Sequence, residues 1–367
     1  MWGLLSSPAR FALALLLPLS VGAGAWHSPW TAWAVMFGWQ VGLALLELAP
    51  GLQQSAAATP ATPWHRWCIR LHLPLQFGLQ ALGAWLVLSQ GLSCPATLAL
   101  AIAVGGVAGA QGITFAHELG HSQGRVERFG AWLLMGSVSY AHFMVEHYRG
   151  HHVRAATPAD PATARRGESL WRFLPRVIAG SWCSAWRLEA QQLQRLRRGW
   201  AHSPLVWACA GQLALWVGLL AWGGSMVLLF WMLQSAYAVF LLETTNYIEH
   251  YGLVRARDAR RADGHEAIGA ADAWAADHAL TNCVIANLQR HADHHMNPGR
   301  PYAELRVMPG PTLPTGYAGC LLIATWPRLW FHLTEPRLRA LQRTTPSAMP
   351  ETPVQATPRQ SDRSNVR

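Results

Sequence analysis

Six apolar runs, each near the length that crosses a bilayer, constrain this chain more than any other feature. A membrane-spanning helix needs about 20 predominantly apolar residues. The runs lie near Phe11–Trp26, Trp30–Leu48, Leu71–Gln90, Pro95–Ala116, Pro204–Trp222 and Met226–Glu243. They pair into three hairpins, because the connectors His27–Pro29, Gly91–Cys94 and Gly223–Ser225 are short and hold no arginine. The opposite ends carry Arg10, Arg66, Arg70, Arg125, Arg128, Arg195, Arg197 and Arg198. Basic residues concentrate in cytoplasmic loops, so both termini and all long loops are expected on the cytoplasmic side. The expected fold is an all-α polytopic membrane protein with six transmembrane helices.

Composition supports this class. The chain is 51% hydrophobic and only 13% charged, whereas soluble domains carry about 25% charged residues. Its net charge of +10 comes from arginine alone, since no lysine occurs among the 29 basic residues. A basic chain is often a nucleic-acid binder, but these arginines flank apolar segments. They fit a lipid surface, and no nucleic-acid partner is expected. The first run has only Arg10 before it and no clear cleavage site, so a retained helix is expected in place of a signal peptide.

The intervening segments are polar or short. A seventh apolar run, Phe129–Val145, contains Ser137, Ser139, Tyr140 and His142. It reads as a re-entrant or interfacial helix, because a full span would put the histidines on its two flanks on opposite sides. Ser55–Pro63 reads as a linker and Arg154–Gly167 as a loop. Residues 1–343 are expected to form one membrane domain and residues 344–367 a disordered tail rich in Pro, Thr, Ser and Arg. The six cysteines, Cys68, Cys94, Cys183, Cys209, Cys283 and Cys320, never form CxxC. That spacing offers no zinc ribbon, rubredoxin-type iron site or iron–sulfur motif. No GxGxxG is followed by the acidic residue of a dinucleotide fold, so no bound NAD or flavin is expected.

Nine histidines in four clusters carry the chemistry. They are His117 and His121; His147, His151 and His152; His250; and His291, His294 and His295. His117 and His121 are four apart and share one helix face; similar spacing recurs at His147/His151 and at His291/His294/His295, and His250 follows the sixth run by a few residues. By the topology above, all four clusters lie at one membrane face, in a cytoplasmic helical cap. One ion rarely takes more than about six ligands, and imidazole suits Zn, Cu, Fe or Ni, so nine histidines suggest two ions. The HExxH pattern at His117 also occurs in zinc proteases, but that reading leaves three clusters without a purpose. A structural zinc site needs only four ligands. A metal transporter would carry ionisable residues near mid-membrane, and these spans have few.

At these residues the sequence resembles the membrane-bound alkane 1-monooxygenases, part of the histidine-rich family of fatty-acid desaturases and hydroxylases. The likeness runs from about Arg66 to Arg337. It includes His142-Phe-Met-Val-Glu-His147-Tyr-Arg-Gly-His151-His152, then Ala156-Thr-Pro-Ala-Asp-Pro161 and Gly167-Glu-Ser-Leu-Trp-Arg-Phe173. Further on come Asn246-Tyr-Ile-Glu-His250-Tyr-Gly-Leu253, Leu288-Gln-Arg-His291-Ala-Asp-His294-His295, Arg300-Pro-Tyr302 and Leu313-Pro-Thr-Gly-Tyr317. The resemblance implies two non-haem irons held by the nine histidines, O₂ as oxidant and terminal hydroxylation of a medium-chain n-alkane. It also implies a bacterial inner-membrane location and electrons from rubredoxin, reduced by an NAD(P)H-dependent rubredoxin reductase. With no CxxC here, the rubredoxin is expected to be separate. Related enzymes acting on a xylene-type methyl group, a terpene or a fatty acid are the alternative.

Several neighbours have expected roles beside the ligands. Glu118, Glu146, Glu249 and Asp293 adjoin histidines and are candidates to orient them; the alternative for each is a solvent-facing or arginine-paired carboxylate. His142 and His278 are read as structural or supporting. Phe37 and Trp39 on the second run are candidates to limit substrate length. The arginines around Arg195–Arg198, and also Arg255–Arg261, suit either an acidic electron donor or lipid headgroups.

Overall fold

A computed structural model describes residues 7–261 and 264–344. Among these the chain is helical, with no strand and two isolated bridges, Arg257 with His265 and Ala275 with Thr312. In chain order the main helices are α1 (Pro8–His27), α2 (Pro29–Leu46), α3 (Pro63–Gln90), α4 (Cys94–His121) and α5 (Arg125–Ser137). α6 runs from Phe143–Glu146 through a π turn, His147–His151, into His152–Arg154. There follow α7 (Leu170–Arg195), α8 (Pro204–His250), α9 (Ala279–Val284), α10 (His291–Met296), α11 (Tyr317–Ala324) and α12 (Pro327–Thr344). The expected tail lies, after Thr344, outside the described residues.

Local chemistry explains many of these starts. Ser or Thr followed by Pro opens α1, α2, α3 and α8. The Ser28 and Ser203 hydroxyls accept from the Thr31 and Val206 amides at 3.0 and 3.2 Å. The proline fills the first helical position, where no amide donor is needed. α3 therefore begins eight residues before its apolar run, because Arg66 and Arg70 sit on helical turns that hydropathy alone does not register.

Four helices are long and apolar enough to cross a membrane: α1, α3, α4 and α8. α2 is not among them, and α8 combines two of the expected runs in 47 residues. Yet α8 is not straight. Gly224 has φ 72° and ψ −170°, a conformation that glycine alone adopts freely. Ser139 bonds to Trp216 and to Ser235, both at 3.3 Å. In a straight helix those two residues would stand about 28 Å apart. The helix therefore doubles back at Gly224 into two packed arms. The first arm is largely outward-facing, with Trp207, Leu213, Val217 and Trp222 exposed.

The second arm lies against α4 at unusually close range. A Cβ on Gly105 would meet the Gln234 carbonyl oxygen at 2.4 Å, and one on Gly109 would meet Ala238 backbone at 2.9 Å. Small residues let helix backbones approach this closely in membrane bundles. Next to this seam a buried polar knot holds the end of α5. Ser137 receives Gln76, Gln80 and Gln234 side-chain donors at 2.9–3.3 Å. The seventh run is thus two pieces: α5 stops at Ser137 and α6 starts at Phe143.

Candidate metal centre

The histidines converge where α4, α6, α8 and α10 end or cross. They form two groups. His117, His121, His147, His152 and His294 make the first, and His151, His250, His291 and His295 the second; within each, the ligand atoms lie within 4.8 Å of one another. The groups touch: the His152 and His295 rings are 4.8 Å apart.

The sequence clusters do not map one to one onto these groups, and the π turn explains why. In a regular α-helix, residues four apart share a face, whereas a π turn widens the repeat to about i+5. His147 is therefore aligned with His152, their Nε2 atoms 3.0 Å apart, and His151 turns to the second group. α10 divides similarly, with His291 and His295 in one group and His294 in the other. Both His-His doublets, 151–152 and 294–295, thus straddle the two groups.

The nitrogen geometry fits bound cations. His291 Nε2 stands 3.2 Å from His250 Nε2 and 2.9 Å from His295 Nε2. His294 Nε2 is 3.2 Å from His152 Nε2. A ring nitrogen carries either one proton or one lone pair, so His291 cannot satisfy both neighbours by hydrogen bonding. Two ligands at right angles around an ion, each at about 2.1 Å, would stand about 3.0 Å apart. In addition, the Nε2 atoms of His117, His121 and His151 are buried without a partner. Burial, reinforced by neighbouring imidazoles, holds His147, His152, His291, His294 and His295 well below the usual histidine range. The rings are therefore neutral and can donate lone pairs.

Among the described residues, carboxylates contact only the four-histidine group. Asp160 Oδ2 lies 2.9 Å from His151 Nδ1, and Thr163 and the Ala162 amide also bond to this carboxylate. Burial opposes charge on His151, but Asp160 outweighs it and raises that pKa. The contact fixes Nδ1 as the outer nitrogen and leaves Nε2 for an ion. Asp160 was missed in the sequence because its loop reads as merely polar; its place in Ala156-Thr-Pro-Ala-Asp-Pro161 was the available signal. Glu249 Oε2 lies 3.2 Å from His291 Nε2, and its other oxygen accepts from the Tyr317 hydroxyl at 2.8 Å.

The remaining candidates sit elsewhere. Glu146 pairs with Arg154 at 2.7 Å, and Asp293 with Arg300 at 2.6 Å. Glu118 accepts from the Tyr302 amide at 3.0 Å. None of these three bonds to a ligand histidine among the described residues. His142 lies against Tyr140 and Trp182 and 3.4 Å from the Ser181 hydroxyl, with burial lowering its pKa to about 4. His278 caps α9. Neither belongs to the two groups.

Three cavities that share lining residues in turn lie between the outer side of α2 and the histidines. The outer one, about 470 Å³, is lined by Val35, Trp39 and Leu43 of α2 and by Val284. A narrower one, about 60 Å³, shares Trp39, Leu43 and Val284 and is also lined by Gly109, Thr245 and Leu288. The innermost, about 40 Å³, shares those last three and is lined by His117, His147 and His291. Trp39 is braced by a bond from its indole nitrogen to Ser20 at 2.9 Å. Phe37 instead stacks on Trp33 with its side chain exposed and lines none of these cavities, because it lies on another face of α2.

Known proteins place this architecture. A family model described as fatty acid desaturase matches residues 92–308. The chain is 35% identical over 347 residues to an alkane 1-monooxygenase of Ectopseudomonas oleovorans, covering 89% of this chain and 84% of that one. It is 36% identical over 322 residues to alkane 1-monooxygenase 2 of Pseudomonas aeruginosa, covering 85% and 84%. The hydroxylase component of a Pseudomonas putida xylene/toluene monooxygenase is 28% identical over 276 residues, covering 73% of each chain.

Proposed function

The chain belongs to the alkane 1-monooxygenases within the fatty acid desaturase family, and from that premise we propose that it hydroxylates the terminal carbon of medium-chain n-alkanes. The observation that carries this reading is the series of mainly apolar cavities whose innermost member is lined by His117, His147 and His291. The overall reaction takes alkane, O₂, two electrons and two protons to 1-alkanol and water. The nine histidines hold two irons, whose chemistry when bound is reductive cleavage of O₂ and oxidation of an unactivated C–H bond.

The protein's own part is to bind, orient and keep water out. Thr114 and Thr245 line the middle cavity, but their hydroxyls are committed to the Ala110 and Leu241 carbonyls at 2.8 and 3.0 Å. They leave no donor free to hold water beside a hydrocarbon. The inner cavities are narrow, so an extended chain enters by one end and presents its methyl group to the histidines. Trp39, at the junction of the outer and middle cavities, limits how much chain fits. Electrons come from a separate rubredoxin, itself reduced by an NAD(P)H-dependent reductase.

The membrane arrangement follows the same reading. α1, α2, α3, α4 and the two arms of α8 make six spans within one domain, residues 1–343. Both termini and the histidines face the cytoplasm, at the bacterial inner membrane. The arginine positions, with Trp200 and Trp207 exposed beside Arg195–Arg198, support that orientation.

The test is a whole-cell assay with n-alkanes of several lengths and xylene, supplying rubredoxin and its reductase. Formation of 1-alkanols is expected, and Trp39→Ser should extend the range to longer chains. The 28% identity to the xylene/toluene enzyme component favours one second reading, a methyl-arene hydroxylase. Methylbenzyl alcohol from xylene, with no alcohol from any alkane, would establish that reading instead. About two irons per purified chain are expected by metal analysis.

A further inference from the structure

Monooxygenation needs two electrons per turnover, and this chain has no motif for a redox group besides its histidine centre. The electrons must enter through the surface over the histidines. That surface has two unusual properties. Apolar side chains are exposed beside the ligands: Val153 adjoins His152, and Met296 adjoins His295. Val254 is 67% exposed, and its segment lies along the Val153 stretch, where the Arg255 amide bonds to the Ala156 carbonyl at 2.7 Å and the Arg255 guanidinium to the Val153 carbonyl at 2.8 Å. The adjoining arginines are the second property. Arg255–Arg261 holds four arginines against one aspartate, and Arg260 has 90% of its side chain exposed. Arg306, also exposed, is tied to α10 by the hydrogen bond its backbone amide donates to the Asp293 carboxylate at 2.8 Å.

An apolar centre with a charged rim is the usual anatomy of a protein interface, and rim charges set encounter rate and partner choice. We propose that Val254, Met296 and Val153, rimmed by Arg257, Arg260 and Arg306, form the docking surface for a small acidic electron-transfer protein. His152, among the less buried of the nine histidines, directly precedes Val153 in the chain. A donor with one redox centre docks twice per turnover, is oxidised by one electron each time, and leaves. The Arg195–Arg198 cluster lies apart from it, where α7 ends beside the outward-facing arm of α8 and the exposed Trp200 and Trp207. Lipid headgroups are the partner for that cluster.

This inference rests on the oxygenase reading, and the test separates the two. The full-length enzyme in nanodiscs would be assayed for alcohol formation, once with an acidic rubredoxin and once with a small chemical reductant. Alcohol formed with the small reductant upholds the oxygenase reading whatever the donor results. Arg260→Glu/Arg306→Glu and, separately, Val254→Asp should each raise the rubredoxin KM about tenfold. They should weaken direct binding of oxidised rubredoxin in parallel, and leave iron content and the small-reductant rate unchanged. Arg195→Glu/Arg198→Glu should leave the rubredoxin KM unchanged. The proposal is overturned if the cap variants keep the parental KM, if they lose both rates equally, or if only the Arg195/Arg198 variant shifts the KM.

Discussion

The two histidine groups share α6 and α10 yet differ in their surroundings. The four-histidine group is wholly buried, and two buried carboxylates, Asp160 and Glu249, touch its rings. The five-histidine group has two partly exposed members, His121 and His152, and no carboxylate bonded to any ring among the described residues. In the four-histidine group Asp160 holds His151 from behind through Nδ1, and Glu249 stands on the Nε2 side of His291. The other group relies on the number of its donors. Carboxylate partners fix a ligand's tautomer and increase its basicity, so the smaller group should hold its ion at least as firmly with one donor fewer.

The largest expected effect comes from removing a ligand on each side. His291→Ala leaves three imidazoles in the smaller group, and the purified protein should lose one ion and all activity. His121→Ala leaves four imidazoles in the larger group and should keep both ions at reduced activity. Metal analysis decides, and equal loss in the two variants would erase the asymmetry. Next in size is Asp160→Asn, which should weaken retention of the ion in the smaller group about 10–100-fold in chelator competition. Glu118→Gln, where the side chain bonds to no histidine, should leave retention unchanged.

Weaker still is the effect of moving one group relative to the other. The larger group takes two ligands from α4 and the smaller takes His250 from α8, and the Gly105 seam sets how those helices meet. Gly105→Ala should cost about 1–3 kcal/mol of stability through overpacking. The readout is a lower thermal midpoint with both ions still bound. The smallest effect is expected at Tyr148, whose hydroxyl donates to the His117 carbonyl at 2.9 Å. Tyr148→Phe should cost about 1 kcal/mol or less and alter retention only at the five-histidine group. A change at the other group would show that the two are coupled through this contact.

Much of this was legible in the sequence, for identifiable physical reasons. Apolar runs report burial directly, and imidazoles repeated at helical spacing converge on one face. The helical class and all nine candidate ligands could therefore be read from the residues. What escaped depended on backbone detail. The grouping of His147 with His152 follows from a π turn, which no hydropathy or spacing rule anticipates. Asp160 sits in an irregular loop whose polar composition conceals its burial. Trp39 and Phe37 are two apart on one helix, and a helix turns about 200° over two residues, so both could not face the same cavity. The reversal of α8 at Gly224, by contrast, falls inside Gly223–Ser225, the short connector expected from the sequence.

The two histidine doublets have a mechanical meaning. Each joins a member of one group to a member of the other across a single peptide unit, whose α-carbons are about 3.8 Å apart. The spacing of the two groups is therefore anchored twice to covalent bond lengths, once through residues 151–152 and once through residues 294–295. Breathing of the surrounding helices can tilt the pair or change its access, but it cannot readily pull the two halves apart. A soft, lipid-embedded bundle thus carries a rigid ruler at the one place where a fixed distance matters.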